Sequence, residues 1–311
     1  MKQEHKSPKH KKKRLGFNIT IGVILLLIVG AGVYGFSVYN SVASTFKQTH
    51  EPLNRLEFEK RVVDLTKKDP ISILLLGVDQ REGDRGRPDS LIVLTINPDD
   101  QSVKMVSVPR DTHTEIIGKE TKDKMNHSYT YGGIDMTIKT VESFLDIPID
   151  YFVKVNMDGF KDLVDSVGGI TVNNTLDFTY KGVDFPVGPL QLNGEEALKY
   201  SQMRKLDPNG DFGRQERQRK IIQAVIEEGA STKTLANYGN ILDVIGNNVK
   251  TNLTFDEIKV IQANYKEARH HFEQIQINGT GKEIEEVYYY FVPETERTNL
   301  SKMLKEHLTI E

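Results

Sequence analysis

The longest apolar stretch lies near the start of the chain. From Leu15 to Phe46 there is no Asp, Glu, Lys or Arg, and its centre, Ile19-Thr-Ile-Gly-Val-Ile-Leu-Leu-Leu-Ile-Val-Gly, is strongly apolar. A helix of about 20 such residues crosses a bilayer core, so residues 15–39 are predicted to be a transmembrane anchor. A cleaved signal peptide is the competing reading, with Ser41-Val42-Ala43 as a passable cleavage site. Signal h-regions run about 7–15 residues, shorter than this stretch, which favours the retained anchor. Residues 40–70 are polar with scattered apolar positions and end at Pro70; they are predicted to be a juxtamembrane helix or stalk.

From Ile71 the pattern changes. Ile71-Ser-Ile-Leu-Leu-Leu-Gly-Val-Asp79 is a short continuous apolar run closing on Gly and Asp, which predicts a central strand buried on both faces. Residues 90–97 and 103–108 are β-branched runs joined by Asn97-Pro98-Asp99-Asp100, a predicted hairpin. Apolar positions 134, 138, 141, 144 and 145 share one helical stripe. A strand at 151–155, a helix from Met157 to Val167 stopped by Gly168-Gly169, and a strand at 170–172 follow. Further helices are expected from Gly194 and Asp211. Strands interleaved with helices indicate an α/β fold. The predicted organisation is a tail (1–14), an anchor (15–39), a stalk (40–70), a catalytic domain (71–228) and a C-terminal part of the same ectodomain (229–311). Val287-Tyr-Tyr-Tyr-Phe-Val292 reads as an amphipathic strand added to the sheet, with an aromatic binding platform as the alternative.

Charge orients this chain in the membrane. Residues 1–14 hold seven Lys/Arg and one acid, leaving 34 basic and 43 acidic residues for the rest. The positive-inside rule places the tail in the cytoplasm and everything beyond about Tyr39 outside, a single-pass type II cell-membrane protein. An acidic body with a basic tag has no basic face for nucleic acid. The 311 residues contain no Cys, which excludes disulfides, Cys-ligated metals and a cysteine nucleophile.

Three clusters of charge sit where strands end or helices begin, the usual place for ligands in α/β folds. In the first, Asp79 ends one strand and Asp89 begins the next, so their carboxylates can converge on Mg²⁺ or a similar hard cation, Mn²⁺ included, together with phosphate oxygens. A turn-capping Asp79 and an Asp89–Arg87 pair are the structural alternatives. In the second, Val108-Pro109-Arg110-Asp111-Thr112, Arg110 offers a planar fork matched to phosphate; the alternative is an Arg110–Asp111 surface pair. The third runs from Met203 to Arg219. Asp211 is a candidate N-cap, and Arg214 and Gln218 share a helix face that Ile221, Ile222 and Val225 extend as an apolar stripe, a layout suited to an amphiphile with an anionic head. Arg217 and Arg219 are expected to be solvated. His127 could serve as a base, although a lone loop His more often only hydrogen-bonds, and His270-His271 is a weak metal signal. No nucleotide-binding loop, nucleophile elbow or His-Glu-x-x-His zinc motif is present in the sequence.

Seven blocks, LLLGVDQR (74–81), GRPDSLIVLTINP (86–98), VSVPRDT (106–112), KMNHSYTYGG (124–133), VDSVGGITV (164–172), LNGEEALKYSQMRK (192–205) and DPNGDFGRQERQR (207–219), resemble the LytR-CpsA-Psr family in the family's own order. The resemblance runs from about residue 71 to 225. It implies a central mixed sheet between helices, with a polyprenyl chain in an apolar tunnel and its pyrophosphate at the mouth. It further implies Mg²⁺ on Asp79 and Asp89, and phosphate contacts from Arg87, Arg110, Arg204, Arg214 and Gln218, with Asp211 and Lys124 at other polar positions. The implied reaction moves an anionic glycopolymer, of the wall teichoic acid type, from an undecaprenyl-pyrophosphate carrier to a peptidoglycan sugar hydroxyl, leaving a phosphodiester. Asp89 or Asp111 would take the acceptor proton, unless metal-bound geometry makes a base unnecessary. The competing functions are a membrane-anchored regulator, a transcriptional attenuator in type, and a carrier pyrophosphatase. The polymer, the exact acceptor and the oligomeric state are not legible in the sequence.

Overall fold

The computed structural model describes residues 49–54, 61–79, 86–229 and 248–311, with no side-chain description at 79 and 229. The predicted tail and anchor lie outside the described residues, among which no helix is long and apolar enough to cross a membrane.

In chain order the strands and helices are β1 (Ile71–Asp79), β2 (Arg87–Asn97), β3 (Ser102–Ser107), β4 (His113–Ile116), β5 (Thr121–Lys124), α1 (His127–Leu145), β6 (Tyr151–Asn156), α2 (Met157–Ser166), β7 (Ile170–Asn174), β8 (Phe178–Tyr180), β9 (Val183–Phe185), β10 (Gly188–Leu192), α3 (Gly194–Gln202), α4 (Asp211–Gly229), β11 (Val249–Thr251), α5 (Phe255–Asn264), β12 (Phe272–Gln276), β13 (Thr280–Ile284), β14 (Val287–Phe291) and α6 (Glu294–Leu308). The central sheet has the order β11-β6-β1-β2-β3-β12. It is mixed: β1 runs parallel to β6 and antiparallel to β2, and β12 runs parallel to β3. The C-terminal part therefore supplies both outer strands of the sheet.

The unbroken apolar run of β1 has the expected cause. Leu74, Leu76 and Val78 enter one core with α1 and α6, while Ile71 and Ile73 enter another with Leu253 and Tyr265, so successive side chains are buried on opposite faces. A third core joins α2, α3 and α4 over the small strands β7–β10, where Phe178 packs on Phe185 at 4.8 Å and on Tyr200 at 5.8 Å. These are helices on both faces of a mixed sheet, the predicted class.

Several local readings change. The described part of the 40–70 stretch is packed onto the domain: Glu51 N donates to Thr251 O at 2.8 Å, and Leu65 is buried in the core. Apolar side chains such as Leu53 and Leu65 have a core within reach, and burying them outweighs standing off as a stalk. The Tyr-rich strand β14 does not join the central sheet, because it pairs instead with β13 in a two-stranded hairpin. Helix α1 kinks at Gly132–Gly133, where Gly133 has φ 66° and ψ −149°. The kink separates a first turn, in which Ser128 and Tyr129 are buried and Tyr129 joins the same core as Ile134, from the longer stretch that begins at Ile134.

Candidate active site

The site is built at the end of the β1–β2 pair. Gly77 pairs with Ser90 and Val78 with Pro88, so Asp89 is the extra residue of a β-bulge, opposite no residue of β1. Pro88 suits that place because it has no N–H to give to the ladder. The bulge turns the Asp89 carboxylate toward Arg110, whose Nη1 donates to Asp89 Oδ1. Asp89 thus pairs across the site with Arg110 rather than with Arg87, which is exposed and stands in register with Asp79.

Arg110 leaves β3 through Val108-Pro109. Its Nε also approaches Asp111 Oδ2 at 3.6 Å, and Lys124 Nζ takes Asp111 Oδ1 at 2.8 Å. Both oxygens of Asp111 therefore face cations. From the far side, α4 brings Arg214 Nη2 to Asp211 Oδ1 at 2.8 Å, and Arg204 Nε lies 3.7 Å from the same oxygen. Burial works against charge on Arg110, but Asp89, Asp211 and Asp111 together hold it above its ordinary value. Arg214 is the reverse case. Burial, helped by Arg110 and Arg204, pushes it down against the pull of Asp211 and Asp89. Residues distant in sequence thus feel one another electrostatically, as one cluster of four cations (Arg110, Lys124, Arg204, Arg214) and three carboxylates (Asp89, Asp111, Asp211).

One buried atom shows that the cluster is incomplete. The Arg214 side chain is only 7% exposed and its Nε has no hydrogen-bond partner. Leaving such a donor unpaired is costly, and an anionic oxygen in the cluster would satisfy it. Gln218 lies one turn further along α4, half-buried. Among the described residues no three His, Asp or Glu side chains gather as a metal site. Asp89 could give a carboxylate to a hard cation that arrives with phosphate, while the side chain of Asp79, the other expected ligand, lies outside the described residues.

Behind the cluster, α4 leads to a cavity of about 750 Å³ lined by Leu94, Ile96, Val103, Ile226, Ile261 and Phe272, among others. Arg214 and Ile226 stand about 18 Å apart along the helix. The expected stripe is divided: Ile222 packs toward the central sheet, whereas Ile221 and Val225 belong to the third core. Sheet and small strands contact adjacent sides of α4, so neighbouring residues enter different cores.

Three further expectations are corrected. Asp211 is the first helical residue rather than the cap, since Arg214 N bonds to Gly210 O at 3.3 Å; its carboxylate instead receives Gln215 Nε2 at 2.9 Å. Arg217 is buried, donating to Asp207 Oδ2 at 2.5 Å, Tyr200 O at 3.0 Å and Met203 O. Arg219 is buried too, with Nη1 on Ser107 Oγ at 2.8 Å and Nε on Gln274 Oε1 at 3.2 Å. Both arginines anchor α4 to neighbouring segments, which gives their buried charge hydrogen-bond partners that the sequence does not reveal.

The β13–β14 hairpin stands at the site, closer to the aromatic-platform alternative than to the favoured reading as a sheet strand, and its contact with Asp111 was not legible in the sequence. Tyr290 N donates to Asp111 O at 2.9 Å, and Phe212 meets the Tyr290 ring at 5.4 Å. Tyr288, 43% exposed, is raised by burial and by Asp111 and Asp211. Lys124 Nζ lies 5.6 Å from the Tyr289 ring centroid. The four consecutive aromatics were the available signal. His127 is also not alone, as its Nδ1 is 2.8 Å from Asp123 Oδ2, which Tyr131 OH contacts at 2.5 Å.

Residues 34–306 match the LytR_cpsA_psr family. The Bacillus subtilis (strain 168) polyisoprenyl-teichoic acid--peptidoglycan teichoic acid transferase TagU is 49% identical over 303 residues, 97% of this chain and 99% of that protein. The crystal structure of B. subtilis TagU superposes with a TM-score of 0.65 at 50% identity, over 78% of this chain and 97% of that one. TagT bound to LIIa-WTA superposes with a TM-score of 0.74 at 32% identity, over 84% and 100%.

Proposed function

The chain belongs to the LytR_cpsA_psr family, and on that premise we propose that its site transfers an anionic glycopolymer of the wall teichoic acid type from a polyprenyl-pyrophosphate carrier to a peptidoglycan sugar hydroxyl. The enzyme is a teichoic acid transferase, like its relatives. The observation that carries the reading is the convergence of Arg110, Arg204 and Arg214, with the unpaired buried Nε of Arg214 among them. Phosphoryl transfer asks chiefly for positioning and for charge where the leaving group develops its own. Arg110 and Arg214 bind the pyrophosphate as planar forks, held in place by Asp89 and Asp211. Lys124 and Arg204 add charge at the rim, and Arg87 and Gln218 complete the phosphate contacts. A Mg²⁺ or Mn²⁺ ion on Asp79 and Asp89 would neutralise pyrophosphate oxygens. The apolar cavity beside α4 takes the carrier chain, and no nucleotide is needed because the pyrophosphate is already activated.

Residues 15–39 anchor the enzyme in the cell membrane with the site outside, where carrier and peptidoglycan meet. The test is to incubate the full-length protein in lipid vesicles with carrier-linked polymer, peptidoglycan fragments and Mg²⁺, and to identify the products by mass spectrometry. A polymer–peptidoglycan phosphodiester is the expected result. Free polymer phosphate alone would instead make it a carrier pyrophosphatase, and no chemistry at all would leave the regulatory reading.

A further inference from the structure

We propose that His127 accepts the proton of the attacking sugar hydroxyl, with Asp123 fixing its tautomer. The inference rests on the transferase reading and names the group that acts on the acceptor side. A carboxylate can only accept, so the 2.8 Å contact between His127 Nδ1 and Asp123 Oδ2 places the imidazole proton on Nδ1. Nε2 of the neutral ring then carries the lone pair, and it has no hydrogen-bond partner among the described residues. Asp123 is held for this task. Tyr131 OH reaches the same oxygen at 2.5 Å and Lys124 N reaches Oδ1 at 2.8 Å. Burial raises the Asp123 carboxyl, yet the bonds from Tyr131 and His127 outweigh it and keep it below its ordinary value, so it stays ionised. A carboxylate orienting an imidazole whose other nitrogen is open is the arrangement that general-base catalysis uses on hydroxyl nucleophiles.

The dyad sits beside the phosphate cluster. Met125 N donates to Thr112 O at 2.8 Å and Asn126 N to Arg110 O at 3.1 Å, so the backbone entering α1 is fastened to the loop that carries Arg110. Lys124, next to Asp123 in sequence, reaches Asp111 at 2.8 Å. The carboxylates of the cluster are poorly placed to be the base, since both oxygens of Asp111 face cations and Asp89 holds Arg110. Within the first turn of α1, Ser128 and Tyr129 are buried whereas the His127 side chain stays 26% exposed, open to an incoming hydroxyl.

In the reaction the sugar oxygen bonds to the polymer phosphorus as its proton passes to His127 Nε2. The bond from that phosphorus to the bridging oxygen of the pyrophosphate breaks, and the carrier leaves as its monophosphate. His127 then returns the proton to solvent.

The test uses the full-length protein in lipid vesicles with carrier-linked polymer as donor and peptidoglycan fragments as acceptor. For His127→Gln, kcat should fall roughly 10²- to 10⁴-fold with the donor KM little changed, and the acid limb of the kcat–pH profile should disappear. The ionisable groups around His127 are Asp123 and Lys124 of β5, Tyr131 of α1, Lys119 over the Tyr131 ring, His113 of β4, Asp111 and Tyr289 of β14; the limb must therefore be lost in His127→Gln to be assigned to His127. Added imidazole should restore part of the rate to His127→Ala. If His127→Gln does not fold, Asp123→Asn, nearly isosteric, tests the dyad instead and should show a comparable loss of kcat. Wild-type kcat with the acid limb intact in His127→Gln, or wild-type kcat in Asp123→Asn, would overturn the proposal and leave the transferase reading standing. A wild-type protein that makes no polymer–peptidoglycan product would overturn that reading itself.

Discussion

Arg217 and Asp207 form an ion pair in which each side chain is only 5% exposed. The pair ties α4, ten residues on, to the loop that precedes it, while the guanidinium lies 5.4 Å from the Phe178 ring centroid and 5.8 Å from that of Tyr200. Removing one partner strands a buried charge. Arg217→Met should therefore destabilise the protein by about 3–5 kcal/mol, and the double variant Arg217→Met, Asp207→Leu should recover much of the loss. Gly213→Ala should act on the same pair, since a Cβ there would stand 1.9 Å from Asp207 Oδ2. Denaturant titration of the variants measures all three.

Arg110→Lys and Arg214→Lys test the forks. Both keep the charge and remove the second N–H of a bidentate contact, so each should lose turnover nearly as severely as the Ala variant, by about 10²–10³-fold. Carrier binding, which the proposal assigns to the apolar cavity, should weaken less. Separate measurement of carrier binding and polymer transfer checks this, and wild-type transfer rates would return these arginines to a structural role.

Asp89→Asn and Asp79→Asn should each abolish the dependence of turnover on added Mg²⁺, with the domain still folded by circular dichroism. In Asp89→Asn the bulge is retained but Arg110 loses a carboxylate partner. Unchanged activity with an unchanged metal response in either variant would remove that residue from the proposed cation site.

A buried histidine of α6 predicts a pH effect. His307 is held between Thr95 Oγ1, 2.7 Å from Nδ1, and Ser102 Oγ, 2.9 Å from Nε2, and burial pushes it down to about 4 from 6.5. The native state therefore binds fewer protons than the unfolded chain between those values, and stability falls as pH drops from 6.5 toward 4. Melting curves across this window should show a smaller acid loss for His307→Gln than for wild type.

The topology is tested on intact protoplasts. Added protease should digest the chain beyond about residue 47 and spare the basic tail, and full protection of the C-terminal part would reverse the proposed orientation.

The alternation and length of apolar runs disclosed the central strand, the hairpin of β2 and β3 and the helix stripe at 134–145, because those patterns reflect which faces of one element are buried. The Asp89, Arg110 and Arg214 clusters were visible for a related reason, as charge placed at element ends next to apolar runs is rarely surface decoration. Pairing was not visible. Nothing local says that Arg217 and Arg219 are buried, since an arginine reads as solvated until the carbonyls, Ser107 and Asp207 that receive its hydrogen bonds are assembled around it.

By itself, then, the sequence determined the α/β class, the main strands and helices from Ile71 to the helix at Asp211, the family resemblance and the residue types available for binding an anion. These are consequences of short-range periodicity and of chemistry carried by single side chains. Only the tertiary structure decided that Asp89 is a bulge residue facing Arg110, that the β13–β14 hairpin stands at Asp111 instead of extending the sheet, and that Asp123 holds His127 beside the Arg110 loop. Each depends on segments brought together by long-range packing, and the free energy of such contacts belongs to the assembled fold rather than to any one stretch of chain.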